Sequence, residues 1–480
     1  MKKLSELVRG LDFFYLVNFT AEPIVTHLTH DSNLVEPGSL FFALPGTRTN
    51  GKMYAMNAIA KGATAVVVEE ELGHNIPQIV VRDVRAAMSL ISKTFNNNTV
   101  DQMRIIGITG TNGKTTTSHI IFHILSKNKV PCALIGTLGV KAYPDIKIDL
   151  SSLTTPDPIE LHQIFKTLHS NGINTIIMEC SAHAISLKKL EGIHFKQGIF
   201  TNLSQDHLDF FGDYRTYADT KINWFDERIQ TAIINADDEE YSKLKNNMCD
   251  KMITYSIENK SDFIASRIKF KPDGTRYKLN GKDSMHSALP GRFNIYNCLA
   301  ATISCNQLGL HITQITRALK TLPNIPGRFN AMKVKDFSVI IDYAHTPDSL
   351  EKVICSVREL VSGKNGKIIT VFGCGGNRDI LKRQVMGEIS ARLSDFTVIT
   401  SDNPRDENPM SIMYQIEAGA KLATENYILI ENRHDAIIHA LKHASKNDVV
   451  IIAGKGAEEY QEIAGKKHLF SDFKVVKEFK

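Results

Sequence analysis

Short apolar runs alternate with amphipathic stretches along most of this chain. In the first hundred residues, strand-like runs at 40–44 and 65–68 are separated by a helical pattern at 54–61, which Gly62 ends. Two longer series follow, with strand-like runs at 103–108, 174–179, 198–201, 232–235, 338–341, 367–372, 396–400 and 449–453, and a clear helix at 349–361. Strands that alternate with helices predict parallel sheets covered by helices, which is the α/β fold class.

Two breaks divide this pattern into three parts. Asn96-Asn97-Asn98 is typical of a turn, and Pro326-Gly327-Arg328 precedes the last series. A chain of 480 residues has room for about three domains. We therefore expect domains at 1–100, 101–325 and 326–480. Residues 258–290 are polar and poor in strand signals, and we expect a small antiparallel excursion there.

The run at 103–108 leads into Gly107-Ile108-Thr109-Gly110-Thr111-Asn112-Gly113-Lys114-Thr115-Thr116-Thr117, and a helical pattern follows. In a strand, glycine-rich turn and helix, backbone N–H groups and the helix N-terminus can hold a phosphate. Lys114 would reach the outer phosphates and Thr115 would hold Mg²⁺. Ile108 stands where a phosphate loop usually has its first glycine, so an ordinary turn is the alternative. The pattern favours a site for ATP or GTP and does not specify the reaction.

Polar residues also follow two later strands of the same series, at 178–183 and 202–209. Because parallel strands end at one edge of a sheet, Glu179 and His207 should converge on the phosphate loop, where they could assist Mg²⁺. Taken alone, a helix cap and a structural histidine are the commoner interpretations of such residues. Lys221 could be a phosphate ligand, a lysine converted into an anion by CO₂, or, most simply, a surface lysine.

Four polar or glycine-rich turns follow strands of the last series. They are Asp342-Tyr343-Ala344-His345-Thr346-Pro347, Gly373-Cys374-Gly375-Gly376-Asn377-Arg378-Asp379, Ser401-Asp402-Asn403-Pro404-Arg405 and Gly454-Lys455-Gly456-Ala457-Glu458. Plain turn chemistry is one interpretation, because Asn-Pro and Gly-Gly suit turns. A second binding surface is the other, because an arginine beside Asp and Asn suits a zwitterionic amino acid.

Composition adds limits on partners and location. The chain carries 57 Lys and Arg against 52 Asp and Glu, a net charge of +5 without a basic block, so we expect no nucleic-acid partner. The seven cysteines include no C-x-x-C pair, which favours reduced thiols in the cytoplasm. The apolar run at 13–17 is too short for a signal peptide or a membrane span, so we expect no membrane insertion.

Together these motifs resemble the Mur ligases, which build the peptide of bacterial peptidoglycan for the cell wall, over nearly the whole chain. The resemblance implies a UDP-substrate domain, a central ATPase domain with a P-loop-type parallel sheet, and a Rossmann-like amino-acid domain. Residues 289–297 are similar to the family's central ATP-contacting stretch. The ATP residues it implies are Gly110, Thr111, Asn112, Gly113, Lys114, Thr115, Thr116, Asn294, Asn297, Arg328, Asp342 and His345. It also implies a Mg²⁺ site at Thr115, Glu179 and His207, a carbamylated Lys221, and catalytic roles for Lys114, Glu179, His207 and Lys221.

Within the family, Asp31-Ser32 and Leu153-Thr154-Thr155-Pro156 are similar to the members that add the third residue. Asp402-Asn403-Pro404-Arg405 is similar to the signature of those that add meso-diaminopimelate, and lysine-adding relatives lack its arginine. The implied reaction phosphorylates the D-Glu carboxylate of UDP-MurNAc-L-Ala-D-Glu with ATP, and the diaminopimelate amine then displaces phosphate. The implied UDP-MurNAc-peptide residues are Ser32, Thr154, Thr155, Ser181 and Lys189. The implied diaminopimelate residues are Arg378, Asp402, Asn403, Pro404, Arg405, Gly454 and Glu458.

The chain departs from the family pattern at several positions. Leu187 and Lys189 replace a Gln and an Arg, Ala457 replaces a common His, and Gly46-Thr47-Arg48 lacks a His often found near the uridine. Other functions also remain open: a ligase with another acceptor, such as L-lysine or a folate-glutamate substrate, or a regulatory nucleotide-binding protein. An inactive scaffold is disfavoured because the ATP and metal residues are all present. We expect a monomer.

Overall fold

The computed structural model describes residues 1–46, 50–148, 153–244, 249–271, 274–361 and 365–480. Three large sheets follow one another along this described part of the chain, with five, ten and six strands. Each has parallel strands and helices packed on it, so the expected three-part α/β fold is confirmed. No helix of the described residues is long and apolar enough to cross a bilayer.

The first sheet has the strand order β2-β7-β6-β5-β4, and only the pairing of β2 with β7 is antiparallel. The strands of this part are β1 (Lys2–Lys3), β2 (Phe14–Val17), β3 (Ile24–Val25), β4 (His27–Thr29), β5 (Ser39–Phe42), β6 (Ala65–Val68) and β7 (Gln78–Val81). Its helices are α1 (Leu4–Val8), α2 (Ala55–Ala60) and α3 (Val84–Phe95), with 3₁₀ turns at Gly51–Tyr54 and Thr99–Gln102. Asp83 caps α3 by accepting from the N–H groups of Arg85 and Ala86.

The central sheet has the order β10-β9-β11-β8-β12-β13-β14-β15-β16-β17, and its pairings are parallel from β9 to β15. Its strands are β8 (Arg104–Thr109), β9 (Cys132–Gly136), β10 (Gly139–Tyr143), β11 (Thr175–Glu179), β12 (Gln197–Phe200), β13 (Thr231–Asn235), β14 (Lys251–Ser256), β15 (Phe263–Lys271), β16 (Gly274–Leu279) and β17 (Asp283–Ser287). Its helices are α4 (Lys114–Lys127), α5 (Pro158–Ser170), α6 (Ala182–Ser186), α7 (Leu208–Phe211), α8 (Tyr214–Ile222), α9 (Tyr241–Leu244), α10 (Arg292–Gln307) and α11 (Ile312–Leu319). Hydrophobic cores lie on both faces, so β8 reads as a continuous apolar run.

The antiparallel structure expected at 258–290 is present, but it is larger than the small excursion that the sequence predicts. Instead of a strand-poor excursion, β15, β16 and β17 form an antiparallel meander. Along β15 the residues alternate between more and less exposed positions, because one face of these strands is open to solvent. Polar residues on that face hide the strand signal in the sequence.

The third sheet has the order β18-β19-β23-β20-β21-β22 and is parallel except between β18 and β19. Its part of the chain contains β18 (Asn330–Val334), β19 (Phe337–Asp342), β20 (Ile368–Phe372), β21 (Phe396–Ile399), β22 (Tyr427–Leu429), β23 (Val449–Ala453) and the separate hairpin β24 (Tyr460–Ile463) and β25 (Lys466–Leu469). The helices are α12 (Pro347–Val361), α13 (Leu381–Leu393), α14 (Pro409–Ala420), α15 (Arg433–His443) and α16 (Asp472–Phe479). The turns after β19, β20, β21 and β23 therefore share one sheet edge.

One core histidine predicts how stability depends on pH. His162 on α5 is 1% exposed, packs edge-on against Phe165, and its Nε2 atom has no hydrogen-bond partner. Burial, with a smaller contribution from Lys93, lowers its pKa from 6.5 to about 3. The unfolded chain binds a proton below pH 6.5 and the folded chain does not, so this contribution to stability is complete above pH 6.5 and is lost as the pH falls.

From pH 7 to pH 5, His162 alone should cost about 2 kcal/mol of unfolding free energy. The variant His162→Leu should lose that part of the slope. Urea unfolding at several pH values measures it, and equal slopes in the two proteins would contradict the assignment.

Candidate active site

A cleft of about 540 Å³ lies between the central and third parts of the chain. Its lining includes the phosphate loop, the polar turn after β12, helix α10, the turn after β19 and helix α12. Contacts across it join the two sides, because Asn112 Nδ2 donates to Asp348 Oδ2 at 2.8 Å and Arg328 Nη2 donates to Thr115 Oγ1 at 3.2 Å. The cleft is therefore lined by residues of both parts of the chain.

The phosphate loop connects β8 to α4, as the sequence predicts. Gly113 has a φ of +89°, and a Cβ at this position would lie 2.5 Å from Asn297 Oδ1, so only glycine fits comfortably. Asn202 braces the tip of the loop, since its backbone and side-chain oxygens accept from the N–H groups of Thr111 and Asn112 at 2.8 and 3.0 Å. Helix α4 begins at Lys114, so the N–H groups of its first turn are available to an anion.

Lys114 folds back onto this loop. Its Nζ donates to the backbone oxygens of Gly110 and Thr111 at 2.8 and 2.9 Å. Burial lowers the pKa of Lys114, while Glu179 and Asp206 act in the opposite direction. The ammonium of Lys114 is therefore bound by two backbone oxygens of the loop. A bound phosphate would be a stronger partner for it.

Glu179, at the end of β11, is fully buried beside the loop. Its Oε2 accepts from Thr115 Oγ1 at 2.9 Å and from Thr137 Oγ1 at 3.0 Å, and Oε1 accepts from Thr137 N at 3.2 Å. A carboxylate and two hydroxyls are the oxygen donors that Mg²⁺ prefers. No cluster of three His, Cys, Asp or Glu side chains suited to a metal occurs in the described residues, so such an ion would need phosphate oxygens as well.

His207 lies on the other side of the loop with its backbone in the left-handed region, at a φ of +55°. Its Nε2 is 3.4 Å from Asp206 Oδ2, and His345 Nε2 is 4.0 Å from the same oxygen. Burial lowers the pKa of His207 to about 3 despite Asp206. Burial alone would raise the pKa of Asp206, but His345 and His207 outweigh it and hold the value at about 2. At neutral pH Asp206 is therefore anionic and His207 neutral, and burial also lowers the pKa of His345 on the other side of the carboxylate.

Lys221 is not the surface lysine of the simplest interpretation. It is 1% exposed, and its Nζ hydrogen-bonds to the hydroxyl of Tyr217, which in turn contacts Thr111 Oγ1 at 2.9 Å. Within the described residues no carboxylate lies within ion-pair distance of its Nζ. Burial and then the charge of Lys114 place the pKa of Lys221 well below its usual value. Lys221 therefore lines the cleft at a place where burial disfavours its charged form.

The remaining predicted ATP residues also line the cleft, with distinct partners. Asn297 Nδ2 donates to Asn294 Oδ1 at 3.0 Å, which links two residues of α10. Asp342 accepts from the N–H groups of Phe329 and Ala344 at 2.6 and 2.8 Å, and burial raises its pKa. Those bonds shape the turn after β19, which carries His345. Thr116 is also part of the lining.

The residues predicted to bind the UDP-MurNAc-peptide are divided in space. Thr155 Oγ1 contacts the backbone oxygen of Glu179 and Ser181 Oγ at 2.8 and 3.2 Å, and Thr154 Oγ1 is 3.1 Å from Thr137 Oγ1. Lys189 is paired with Asp157 at 2.7 Å. Ser32 lies in the first part of the chain and is not among the residues that line the cleft. The stretch Gly46-Thr47-Arg48 lacks the histidine that the family often has near the uridine. Of this stretch, Thr47 and Arg48 lie outside the described residues.

Most of the predicted diaminopimelate residues form one cluster at the edge of the third sheet. Asn403 Nδ2 donates to Glu458 Oε2 at 2.9 Å, and a Cβ on Gly454, at a φ of +113°, would lie 2.5 Å from Asp402 Oδ2. Pro404 is buried between this cluster and Arg405. The cluster is held by hydrogen bonds within the third part of the chain.

Two arginines flank Gly375 next to this cluster. A Cβ on that glycine would lie 2.9 Å from Arg405 Nη1 and 3.8 Å from Arg378 Cγ. Arg405 donates to the oxygen of Gly376 at 2.6 Å and pairs with Glu462 at 3.2 Å. Arg378 pairs with Asp209 of the central part of the chain at 3.3 Å. Both arginine side chains therefore pass close to Gly375, while the guanidinium of each is bound by an acidic residue.

Sequence reasoning missed some residues of the site. Thr137 was missed because β9 was not recognised, although the apolar run 132–136 followed by a polar residue is the same strand-end signal. Tyr217 was missed because its partner Lys221 is one helical turn away, and helical spacing was the available signal.

Three family models match the chain in order: "Mur ligase family, catalytic domain" over residues 24–100, "Mur ligase middle domain" over 108–305 and "Mur ligase, glutamate ligase domain" over 327–456. A UDP-N-acetylmuramoyl-L-alanyl-D-glutamate–2,6-diaminopimelate ligase from Geobacillus thermodenitrificans is 38% identical, covering 99% of this chain and 98% of its own. The ligase of the same name from Clostridioides difficile is 39% identical and covers 99% of both.

Solved structures agree with these matches. A structure of a ligase of that name superposes with a TM-score of 0.67 at 32% identity and covers 95% of this chain and 94% of its own. MurF ligase from Thermotoga maritima, in complex with ADP, superposes with a TM-score of 0.64 at 17% identity and covers 95% of this chain and 97% of its own, which shows the fold alone. On the sequence matches over nearly its full length, this chain belongs to the Mur ligase family.

Proposed function

We propose that this chain is an ATP-dependent ligase that joins meso-diaminopimelate to the D-Glu side-chain carboxylate of UDP-MurNAc-L-Ala-D-Glu, a step in peptidoglycan precursor synthesis. The observation that carries the proposal is that the cleft holding the phosphate loop adjoins the diaminopimelate cluster. Lys114 and Asp342 both line the cleft, and Asp342 O accepts from the N–H group of Gly454, a member of the cluster, at 3.1 Å. Relatives of 38–39% identity over 99% of the chain bear the name of this ligase.

The reaction has two chemical steps. The D-Glu carboxylate attacks the γ-phosphorus of ATP, which gives an acyl phosphate and ADP. The diaminopimelate amine then attacks the acyl carbon, the C–O bond to phosphate breaks, and an amide and inorganic phosphate result. Lys114 would leave its loop oxygens and stabilise charge on the transferred phosphoryl group. Mg²⁺, held by Thr115, Glu179 and His207, would neutralise phosphate charge.

We propose that Lys221 is carbamylated. Its amine, in the uncharged form that burial favours, would attack CO₂ to form an N–C bond and release one proton, which leaves an anionic carbamate. The adjoining Tyr217 hydroxyl and the burial of both side chains support this assignment. A new anion there would offset the positive charges of Lys114 and of a metal ion near the phosphates.

We assign one substrate to each proposed domain. Residues 1–100 would bind the UDP end near Ser32, residues 101–325 would bind ATP, and residues 326–480 would bind the amino acid. Thr154, Thr155 and Ser181 would hold the muramoyl-peptide. Thr155 contacts Ser181 and the backbone oxygen of Glu179, and Thr154 contacts Thr137, which is bound to Glu179. The seven cysteines are free thiols, which supports a cytoplasmic location.

We propose that diaminopimelate is distinguished from lysine by its second carboxylate. Arg405 and Arg378 would bind its carboxylates, and Asp402 and Glu458 would bind an ammonium group. Lysine offers one carboxylate fewer, so one arginine would be left without a ligand partner.

Trapping of the acyl phosphate tests the proposed chemistry. ATP, UDP-MurNAc-L-Ala-D-Glu and hydroxylamine, without an acceptor amino acid, should yield one hydroxamate for each ADP. ADP formation without hydroxamate would favour a nucleotide switch instead.

The carbamate predicts dependence on CO₂. The wild-type protein should lose activity in CO₂-depleted buffer and regain it with bicarbonate, whereas Lys221→Met should be at least about 10²-fold slower and unresponsive. Activity assays and ¹³C NMR with ¹³C-bicarbonate measure both effects. The exposed Lys243, changed to Met, is the matched control. An active Lys221→Met variant, or no carbamate carbon signal in the wild type, would contradict the assignment.

A further inference from the structure

The turn Gly454-Lys455-Gly456 contains a lysine to which the proposed function gives no role. A glycine-flanked lysine after a parallel strand resembles a second phosphate-binding loop. The structure argues against this, because Lys455 is fully buried and points away from solvent. Its Nζ donates to Asn403 Oδ1 and to Glu458 Oε2, both at 2.8 Å.

Lys455 Nζ also lies 5.6 Å from the centre of the Tyr460 ring, within the range of a cation–π contact. Two of its three N–H donors are bound by Asn403 and Glu458, and the side chain is fully buried. Any effect of Lys455 on a ligand must therefore act through its partners.

Both hydrogen-bonded partners belong to the proposed acceptor site, and Lys455 fixes their orientation. Asn403 Oδ1 accepts from Lys455 and from Glu462 N, at 2.8 and 3.0 Å. With the oxygen of the amide so occupied, its Nδ2 must point to the other side, where it donates to Glu458 Oε2 at 2.9 Å. The amide of Asn403 thus has one orientation.

Glu458 is left with one carboxylate oxygen in use and one available. Oε2 receives both Lys455 Nζ and Asn403 Nδ2. Among the described residues, no hydrogen bond reaches Oε1, and the side chain is 23% exposed. A carboxylate that is held in place and partly exposed suits the ammonium of an amino acid.

The neighbouring Asp402 has a buried cation behind it as well. Arg433 is fully buried, pairs with the fully buried Asp472 at 2.9 Å, and its Nη1 lies 3.8 Å from Asp402 Oδ2. Each acidic residue of the cluster therefore has a buried positive group on its inner side. This arrangement fixes the carboxylates before a ligand arrives, which lowers the entropic cost of binding.

We propose, on the basis of the proposed function, that Lys455 is a positioning residue for the acceptor amino acid. Its buried ammonium holds Asn403 and Glu458 and leaves Glu458 Oε1 free for an acceptor ammonium.

The test compares acceptor and nucleotide kinetics in Lys455→Met, which keeps the chain length and removes the charge. The KM for diaminopimelate should rise about tenfold or more, because a charge-assisted contact is lost, while the KM for ATP should stay within about twofold. Lys455→Gln, which keeps a hydrogen-bond donor, should fall between it and the wild type. Lys474→Met is the control, because Lys474 is exposed on α16.

A double-mutant comparison tests whether the effect acts through Glu458. The KM for diaminopimelate of Lys455→Met/Glu458→Gln should be close to that of Glu458→Gln alone. An unchanged diaminopimelate KM in folded Lys455→Met, equal rises in both KM values, additive effects, or loss of folding in both Lys455 variants would overturn the proposal. If the wild type releases no phosphate with diaminopimelate, the proposed function itself fails, which is a separate result.

Discussion

The variant Glu179→Gln is expected to lower kcat by about 10²- to 10³-fold and to raise the Mg²⁺ concentration needed for half-maximal rate. Glu179 is fully buried and accepts hydrogen bonds from Thr115 and Thr137. The amide is nearly the same size, but it removes the negative charge and directs N–H donors towards groups that already donate. The charge is the part of Glu179 that a metal ion would use.

Steady-state rates over a Mg²⁺ titration measure this effect. Glu351→Gln is the matched control, because Glu351 lies on α12 and pairs only loosely with Arg392 at 3.4 Å. A Glu179→Gln protein with the wild-type Mg²⁺ dependence would show that the carboxylate is structural. Thermal melts of both variants separate a loss of folding from a loss of catalysis.

The variant Arg405→Ala is expected to raise the KM for diaminopimelate about tenfold to hundredfold, in proportion to the loss of a charge-assisted bond to a carboxylate. The KM for ATP should be unchanged, because the phosphate loop lies in the central part of the chain. Arg405 also donates to the oxygen of Gly376 and pairs with Glu462, and Arg405→Ala removes these contacts as well. Arg405→Lys keeps the positive charge, so its KM for diaminopimelate should rise less than that of Arg405→Ala.

Competition between meso-diaminopimelate and L-lysine measures the change in selectivity. Selectivity for diaminopimelate should fall in Arg405→Ala and stay at the wild-type level in Arg392→Ala, whose arginine is exposed on α13. Equal selectivity in wild type and Arg405→Ala would remove Arg405 from the acceptor site.

The sequence predicts the elements that are buried on both faces. The strand at 103–108, the turn and helix that follow it, and the strand before Glu179 are confirmed to within a residue or two, because parallel strands in a covered sheet read as continuous apolar runs. The meander at 263–287 was predicted only as a small antiparallel excursion, because its strands face solvent on one side. The domain boundaries at 100 and 325 stay predictions.

The candidate site was predictable where its residues directly follow strands. It was less predictable where tertiary contacts determine which side chains meet. The position of Glu179 beside Thr115 follows from strand order, but the contact of Arg378 with Asp209 joins residues 169 positions apart, and no local pattern indicates it. The inward direction of Lys455 was equally invisible, since the same turn sequence suits a phosphate loop. The roles given to the individual site residues remain predictions until the variants are measured.

Phosphate release from ATP in the presence of UDP-MurNAc-L-Ala-D-Glu, with meso-diaminopimelate compared against L-lysine, tests the proposed ligase reaction. We expect rapid release with diaminopimelate and little with lysine. Release with lysine alone would keep the ligase chemistry and contradict the role of Arg405. Release that ignores both amino acids, or no release at all, would contradict the proposed function.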